Sequence, residues 1–368
     1  MNETVGTVII GGAQAGLSTA YHLKKRGMPF LILDANERVG DSWRKRWDSL
    51  RLFTPGHYDG LAGMPFPGRG WRAPTKDEFA EYLEAYAARF ELPVLTGVRA
   101  QRLSRESDRF VVETTDGRLE ADQVVVATGA FQTPKVPPFA RELHPGIVQL
   151  HSVDYRNPSQ LREGGVLVVG VGNSGADISM EVVQSHPTWL AGKESGHVPV
   201  RIDTRRSAVG FRVFRFVGHH VLCWGNPIGR KVLPKMKHMA APLVRVKPKD
   251  LVRAGVQRVG RVSGVRDGLP LLDDERVLDV ANVIWCTGFR QDFSWIDLPV
   301  FDDEGEPKHR RGVVADEPGL YFMGLEFQYS LSSDVITGVR RDAEYVAKHI
   351  AARQPMDRAG ARVEAIPS

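Results

Sequence analysis

Two segments of the chain repeat one local plan, and that repetition limits the fold more than any other feature. Residues 7–23 read TVIIGGAQAGLSTAYHL, and residues 166–183 read VLVVGVGNSGADISMEVV. Each is an apolar run, a glycine-rich turn and then a helical pattern. In the first, a strand at 7–10 leads into Gly11-Gly12-Ala13-Gln14-Ala15-Gly16. A helix to about Arg26 follows, ended by Gly27, and a strand at 30–33 stops at Asp34. In the second, a strand at 166–169 leads through Gly170, Gly172, Asn173, Ser174 and Gly175 into a helix to about Ser185 and a strand at 188–191. Glycines at such spacing permit a tight turn, close approach of backbone to a pyrophosphate, and close helix–strand packing. The helix N-terminus then offers free N–H groups and its dipole to the anion. Ala13 stands where the middle glycine of the first turn is usual.

The repeat extends downstream. VVVATG (124–129) and VIWCTG (283–288) are apolar runs ending in Thr128-Gly129 and Thr287-Gly288. Gly129 follows Gly11 by 118 residues, and Gly288 follows Gly170 by the same 118. Continuous apolar runs of this kind read as buried parallel strands. A turn signal precedes each, Asp116-Gly117 and Asp267-Gly268, as in a β-meander. The expected fold class is α/β with two Rossmann-like dinucleotide-binding domains, the second inserted into the first, in the two-dinucleotide architecture of glutathione reductase. The expected boundaries are 1–160 with 285–355 for the first domain, 161–284 for the second, and a tail at 356–368. Asp34 lies 23 residues after Gly11, and Lys193 lies 23 after Gly170. At that offset a carboxylate accepts from a ribose 2′-hydroxyl, whereas a lysine suits a 2′-phosphate. The first site therefore reads as one for FAD or NAD and the second as one for NADPH, with NADH as the alternative. Arg205 and Arg206 are candidates to help hold that phosphate. Solvated surface charge is the plainer reading of Lys193 and of both arginines.

The chain has 368 residues, enough for two domains. No apolar run approaches a membrane span, no leader precedes the first strand, and a cytoplasmic protein is expected. The two cysteines, Cys223 and Cys286, form no Cys-x-x-Cys, so neither a thioredoxin-type pair nor a zinc knuckle is available, and no metal site is expected. Residues 193–261 carry 16 Lys+Arg against 3 Asp+Glu, a local excess of +13; with a total of +5, the rest is −8. Within that field FRVFRFVGHHVLCW (211–224) interleaves aromatics with arginines. It reads first as a cap over nicotinamide and substrate, and second as a surface for peripheral membrane contact. No nucleic-acid partner is expected, because no nucleic-acid-binding module surrounds it. Thr75-Lys76-Asp77-Glu78 is a capping box before a helix whose Phe79, Leu83, Tyr86 and Phe90 share a core-facing side. The last helix is expected to start near Ser333-Asp334, with Ser333 as its N-cap, and to end near Ala352. A homodimer is the base expectation.

Beyond these local readings, six segments in order resemble the flavin-containing monooxygenase superfamily, most of all its bacterial stand-alone members and the plant indole-3-pyruvate monooxygenases. They are IIGGAQAGLSTAYHLKKRG, ERVGDSWRKRWDSLRLFTPGHYDGLAGMPFP, VVVATGAFQTPKVP, GIVQLHSVDYRNP, VLVVGVGNSGADISMEV and VIWCTGFR. The resemblance spans roughly residues 5 to 350. It implies that Gly11, Gly16 and Asp34 hold FAD, and that Gly40 and Trp43 lie along the flavin, with Asp41 in place of a second glycine. Thr128 and Gly129 match the linker, and Gly170, Gly172, Asn173, Ser174 and Gly175 match the NADP turn. Gly146, His151 and Tyr155 resemble the family-identifying motif, with His144 at its Phe position and one extra residue between Gly and His. Many amine- and sulfide-oxygenating members carry an asparagine where Phe53 and Thr54 stand here, so the amide that helps hold their flavin–oxygen adduct is absent.

The implied activity is that of a monooxygenase consuming NAD(P)H and O₂. It would insert one oxygen atom, through a C4a-(hydro)peroxyflavin, into a small organic substrate by N- or S-oxygenation, Baeyer–Villiger reaction or oxo-acid oxidation. Phe53, Thr54 and His57 are the candidates for the flavin and substrate neighbourhood. Arg51 and His151 are further acid–base candidates, although a lone histidine is more often structural and His151 reads better as part of the hinge motif. The helix near Ser333-Asp334 would aim its positive end at the flavin's anionic edge. Two alternatives remain at this stage. One is an NAD(P)H:flavin oxidoreductase or oxidase releasing peroxide. The other is a nucleotide-sensing regulatory subunit of a membrane transporter.

Overall fold

The computed structural model describes residues 2–68, 70–193, 196–198, 201, 207–236 and 242–353. The chain begins with β1 (Asn2–Ile10), α1 (Gln14–Lys24), β2 (Phe30–Asp34), α2 (Asp41–Arg44), α3 (Lys76–Arg89) and β3 (Val94–Thr96). A meander follows, β4 (Ala100–Glu106), β5 (Arg109–Thr114) and β6 (Gly117–Val126), and then the two-residue β7 (Thr133–Pro134). Next come β8 (Val148–His151), β9 (Val166–Val169), α4 (Asn173–Val182) and β10 (Thr188–Ala191). A helical excursion holds α5 (Ser207–Phe216) and α6 (Pro227–Met236); α7 (Pro248–Ala254), β11 (Gln257–Val259), β12 (Val262–Arg266), β13 (Leu269–Leu272) and β14 (Asn282–Trp285) follow. The chain returns through β15 (Phe289–Arg290) and β16 (Leu320–Phe322) to α8 (Ile336–Arg353).

Two sheets result. The first runs β3-β2-β1-β6-β5-β4, with β16 parallel to the last residues of β6. The second runs β11-β10-β9-β14-β8, parallel throughout. The motif-bearing strands are paired alike in both. β1 lies between β2 and β6, and β9 lies between β10 and β14. The continuous apolar runs are explained by burial on both faces: Val166–Val169 and Asn282–Trp285 are buried at every position. On one side of the first sheet, α1, α3 and α8 cover Ile9, Ile32 and Val125 with Leu17, Leu83 and Val346. The capping box forms as expected. Thr75 Oγ1 accepts from Glu78 N–H at 3.2 Å, and Glu78 accepts from Thr75 N–H at 2.8 Å, an arrangement worth about 1 kcal/mol. Among the described residues no helix is long and apolar enough to cross a membrane.

The sheet pairing moves both expected boundaries of the inserted domain. Val148–His151 is the edge strand of the second sheet, paired with β14. The expected boundary at 160 leaves this strand with the first domain, because an isolated short strand shows no sign of its partner. The crossings between the sheets are β7 and β15, which pair antiparallel with each other. The inserted unit therefore lies between residue 134 and residue 289, and β14 belongs to it whole.

Candidate functional site

The two glycine turns are near copies. Gly11 and Gly170 have φ of +115° and +114°, in the region that favours glycine. A Cβ on Gly11 would stand 2.5 Å from the carbonyl oxygen of Ala127, and one on Gly170 would stand 2.2 Å from that of Cys286. The constraint comes from the neighbouring strand, β6 or β14, which passes directly behind the turn. A Cβ on Gly16 or Gly175 would lie 1.9 Å from the carbonyl oxygen of Gly11 or Gly170 respectively. These glycines let each helix start against its own turn. Around Gly129, Gly172 and Gly288, by contrast, nothing lies within 4 Å of a built Cβ. Helix N-terminus, bare turn and open space recur at both sites, and this geometry fits the pyrophosphate of a dinucleotide at each.

Charge separates the two sites. Asp34 is buried at the end of β2; its Oδ2 accepts from Gly12 N–H at 3.1 Å, and its Oδ1 accepts from the backbone and side chain of Asn36, both at 2.9 Å. A Cβ on Gly12 would stand 2.6 Å from Asp34 Oδ2, so Gly12, absent from the candidates, is what admits the carboxylate to the turn. At the second site the equal offset of 23 does not give an equal place. Ile10 pairs with Leu33, but Val169 pairs with Ala191, one residue earlier in the count. The counterpart of Asp34 is therefore Gly192, and exposed Lys193 stands one residue beyond it. Helix α4, at 10 residues, is one residue shorter than α1, at 11, and the connections that follow them are equal in length. The chemical contrast survives the correction: no carboxylate at that position, and a cation beside it. Arg205 and Arg206 lie outside the described residues.

The two sites face one crossing. β7 and β15 leave the C-terminal ends of β6 and β14, just past Gly129 and Gly288. Lys135 N–H donates to Gly288 O at 2.9 Å, and Thr287 Oγ1 donates to Lys135 O. Phe131 and Phe289 meet edge to face at 5.6 Å. His151, the hinge-motif histidine, is buried here. Its Nδ1 lies 3.3 Å from Val153 N–H and accepts from it, so the ring proton sits on Nε2 and is donated to Gly288 O at 3.2 Å. Burial pushes its pKa below the usual value. A neutral ring with both nitrogens engaged positions backbone; it is not placed for acid–base exchange. Gly146 and His144 are likewise spent locally, with Gly146 N–H donating to His144 Nδ1 at 3.0 Å, while Tyr155 OH donates to Glu181 at 2.7 Å. Arg46, another residue sequence reasoning passed over, lies over the rings of Phe289 and Trp47 at 5.5 and 5.9 Å. Burial, and then the charge of Arg156, hold its pKa below the usual guanidinium value.

Around the first turn, Trp43 Nε1 donates to Gln14 Oε1 at 3.1 Å, and its ring meets Phe79 edge-on at 4.9 Å. Trp43 is thereby fixed against the start of α1 and against α3. Ala15 is buried in the same apolar cluster. Gly40 packs so close to α3 that a Cβ would stand 2.6 Å from Ala80 O, and Asp41 pairs with Arg44 at 3.1 Å. Phe53 and Thr54 are half-buried, and Thr54 Oγ1 donates to Asp59 Oδ1. Asp59 is fully buried, its Oδ2 has no partner, and burial pushes its carboxyl up to about 8. Nothing in the local sequence distinguishes Asp59 from a solvated loop aspartate; only tertiary burial does. His57 is exposed, its ring edge-on to Tyr58 at 4.9 Å. Arg51 donates to Ala73 O at 3.2 Å.

Ser333 is not the N-cap of α8. The helix starts at Ile336, and the Ser333 hydroxyl accepts from the N–H groups of Tyr329 and Ser330 and donates to Asp342 Oδ2 at 2.6 Å. It clamps the preceding turn to the helix flank, because the chain makes one more turn before helical geometry begins. Asp334 is half-buried, and burial, followed by the charge of Glu326, pushes its carboxyl up to about 7. The excursion closes on this same turn. Leu331 N–H donates to Leu222 O and Trp224 N–H to Tyr329 O, both at 2.9 Å. His219 Nδ1 lies 3.3 Å from Ser332 Oγ, and the Phe211 ring packs at a tilt against Tyr58 at 5.2 Å, in the loop that holds Asp59. Asn173, read as part of the second turn, accepts from Val244 N–H at 2.8 Å and donates to Pro242 O at 3.2 Å, which ties the far end of the excursion to α4.

Comparison with known proteins agrees with this geometry. A family model described as pyridine nucleotide-disulphide oxidoreductase matches residues 8–191. An uncharacterized oxidoreductase of Geobacillus kaustophilus, described as CzcO-like, is 39% identical over 95% of this chain and 99% of its own length. The probable indole-3-pyruvate monooxygenase YUCCA3 of Arabidopsis thaliana is 30% identical over 95% of this chain and 87% of its own. Among solved structures, a flavin-containing monooxygenase from Stenotrophomonas maltophilia superposes with a TM-score of 0.76 at 27% identity, covering 96% of this chain and 99% of the other.

Proposed function

The chain belongs to the pyridine nucleotide-disulphide oxidoreductase family and to the flavin-containing monooxygenase superfamily, and from that premise we propose that it is an FAD-dependent monooxygenase that consumes NADPH and O₂ to oxygenate a small organic substrate. The observation that carries the proposal is the pair of near-identical turns facing one crossing, one with a carboxylate at its ribose position and the other with glycine followed by lysine. The first turn would hold a flavin and the second a nicotinamide, and together these would supply two electrons to O₂, one oxygen atom going to the substrate and the other leaving as water. Asp34 would accept from the flavin nucleotide's ribose while remaining oriented by Gly12 and Asn36. Neutral His151 holds the Gly288 carbonyl and with it the end of β14. The excursion is docked on the 329–331 turn and on Tyr58, in the loop that holds Asp59. A disulfide-reducing reaction of the kind named by the wider family lacks its thiol pair. Cys223 and Cys286 are both free, and burial pushes the Cys286 thiol well above its usual pKa.

Oxo acids are the first substrates to screen, in view of the named activity of the plant relative, followed by thioethers, amines and ketones. One observation favours a second reading, an oxidase that releases peroxide. The hydroxyl of Thr54 is spent on Asp59, so that stretch offers no free amide or hydroxyl donor to an oxygen adduct. Rapid mixing separates the two. The purified yellow protein is reduced with NADPH without oxygen and then mixed with oxygenated buffer. A monooxygenase shows a delay of seconds before the oxidised-flavin band returns, and little peroxide. Immediate return with stoichiometric peroxide would replace the proposal with the oxidase.

Cofactor choice has its own expected outcome. Lys193→Ala should raise the KM for NADPH by about 10- to 100-fold, the loss of one charge-assisted phosphate contact, and leave that for NADH within about twofold. Steady-state kinetics with both nucleotides measures it, and equal effects would remove Lys193 from the phosphate site.

A further inference from the structure

The excursion has an inner and an outer face. Along α5 and the π turn after it, Phe211, Gly218 and His219 are buried against the protein. Val213, Phe216 and His220, spaced i, i+3 and i+7, point the other way. Val213 is 60% exposed and Phe216 59%, and exposed Arg212 flanks them, while Arg215 turns back over the Tyr58 ring at 5.3 Å. In α6, Gly229 and Leu233 are buried at i and i+4. Ile228, Lys231 and Lys235 form the opposite stripe, with Ile228 56% exposed. Trp224 joins the two helices, 40% exposed, with its indole N–H anchored on Phe327 O at 2.7 Å. Of the ten large hydrophobic side chains exposed among the described residues, five fall between residues 213 and 228. From 207 to 236 there are five arginines and lysines and no aspartate or glutamate.

We propose that this outer face is a peripheral membrane-docking surface that seats the enzyme on an anionic lipid bilayer. Branched and aromatic side chains exposed beside cations, with no acidic neighbour, are what an interfacial helix needs: apolar groups enter the acyl boundary and cations stay at the headgroups. Each cation near an anionic surface adds attraction that salt screens. Nucleic acid would use the cations but leave Val213 and Ile228 without a partner. The charge of the whole chain supports the orientation, since 193–261 carries +13 and the rest −8. The inner face stays on the 329–331 turn and Tyr58, so docking leaves the crossing between the nucleotide sites intact. The proposal does not depend on the redox reaction and fails separately from it.

The test is co-sedimentation of the full flavin-loaded chain with vesicles of phosphatidylcholine alone and of phosphatidylcholine with one-third phosphatidylglycerol. The expected result is binding to the anionic vesicles that falls at least about tenfold when salt rises from 0.05 to 0.5 M. Binding should fall about tenfold in the outer-face variant Phe216→Ser with Ile228→Ser, and separately in Arg212→Glu with Lys231→Glu. Retained flavin and an unchanged melting temperature show that these variants are folded. No binding to anionic vesicles overturns the proposal. So do equal binding to neutral vesicles, wild-type binding by both variants, and binding of duplex DNA with the same dependence on all four side chains.

Discussion

Gly175→Val is expected to leave a yellow protein that NADPH no longer bleaches in the absence of oxygen, and Gly16→Val is expected to leave a protein without flavin. Both substitutions place a branched side chain where a single Cβ would already stand 1.9 Å from a carbonyl oxygen of the same turn. No rotamer relieves that contact, because the obstacle is the backbone of Gly170 or Gly11. The helix must move away from its turn, and the N–H groups that would face a pyrophosphate move with it. Overpacking at a site with no slack costs about 1–3 kcal/mol or more, and misplaced phosphate donors add to that. A loss of affinity of at least about 100-fold for the nucleotide of the altered turn follows. The two sheets are built on separate strands and pack separate cores, so each substitution should spare the other site. Flavin absorbance after purification reads the first site, and anaerobic titration with NADPH reads the second. The reciprocal pattern, with Gly175→Val losing flavin and Gly16→Val keeping it, would reverse the assignment of the two turns. Undiminished reduction of Gly175→Val would remove the second turn from nicotinamide binding.

What could be read from the sequence was whatever local chemistry dictates. The bounds of β9 and β10 fall where the apolar runs end, since a strand buried on both faces has nothing polar to blur its limits. The Asp116-Gly117 and Asp267-Gly268 turns join antiparallel neighbours, as turn residues between apolar runs imply. The capping box at Thr75 needs only its own four residues. What could not be read depends on register or burial. Counting matches Lys193 to Asp34, but α4 is one residue shorter than α1, and the register puts Gly192 in that place. The hydroxyl of Ser333 had two competing uses, capping a helix or bonding its flank, and the buried carboxylate of Asp342 decided between them. The strand at Val148–His151 belongs to whichever sheet offers an edge, and only the packed structure says which. Phe53, Thr54 and His57 are candidates only through the family resemblance of their stretch. The fold exposes His57, ties Thr54 to its neighbour, and puts the unusual chemistry of that loop in Asp59.

Asp59 makes the other large effect, one on stability. Its carboxyl is pushed from an ordinary 3.8 up to about 8, by burial first, with the Thr54 hydrogen bond opposing the shift. Between pH 4 and 8 the folded protein therefore holds a proton that the unfolded chain has released. Stability must fall as pH rises through that window, and the contribution is level below and above it. Other buried groups titrate in the same range with both signs. Asp334, raised to about 7, adds to the fall, whereas His22 and His219, lowered to about 4 by burial, add a rise between pH 4 and 6.5. The comparison of wild type with Asp59→Asn cancels them, as it cancels stabilisation by bound flavin. Asparagine keeps the acceptor for Thr54 and cannot ionise; its amide N–H₂ is left short of a partner, which costs about 1–3 kcal/mol at every pH. The stability of Asp59→Asn relative to wild type should then rise by about 1.4 kcal/mol per pH unit between pH 4 and 8. The sum is on the order of 5 kcal/mol, so the variant is the less stable protein at the acid end and the more stable one at pH 8. Denaturant unfolding of both proteins at half-unit steps of pH measures the difference directly. A difference that stays constant across the window would mean that Asp59 is ionised in the folded protein throughout, with a partner for its second oxygen.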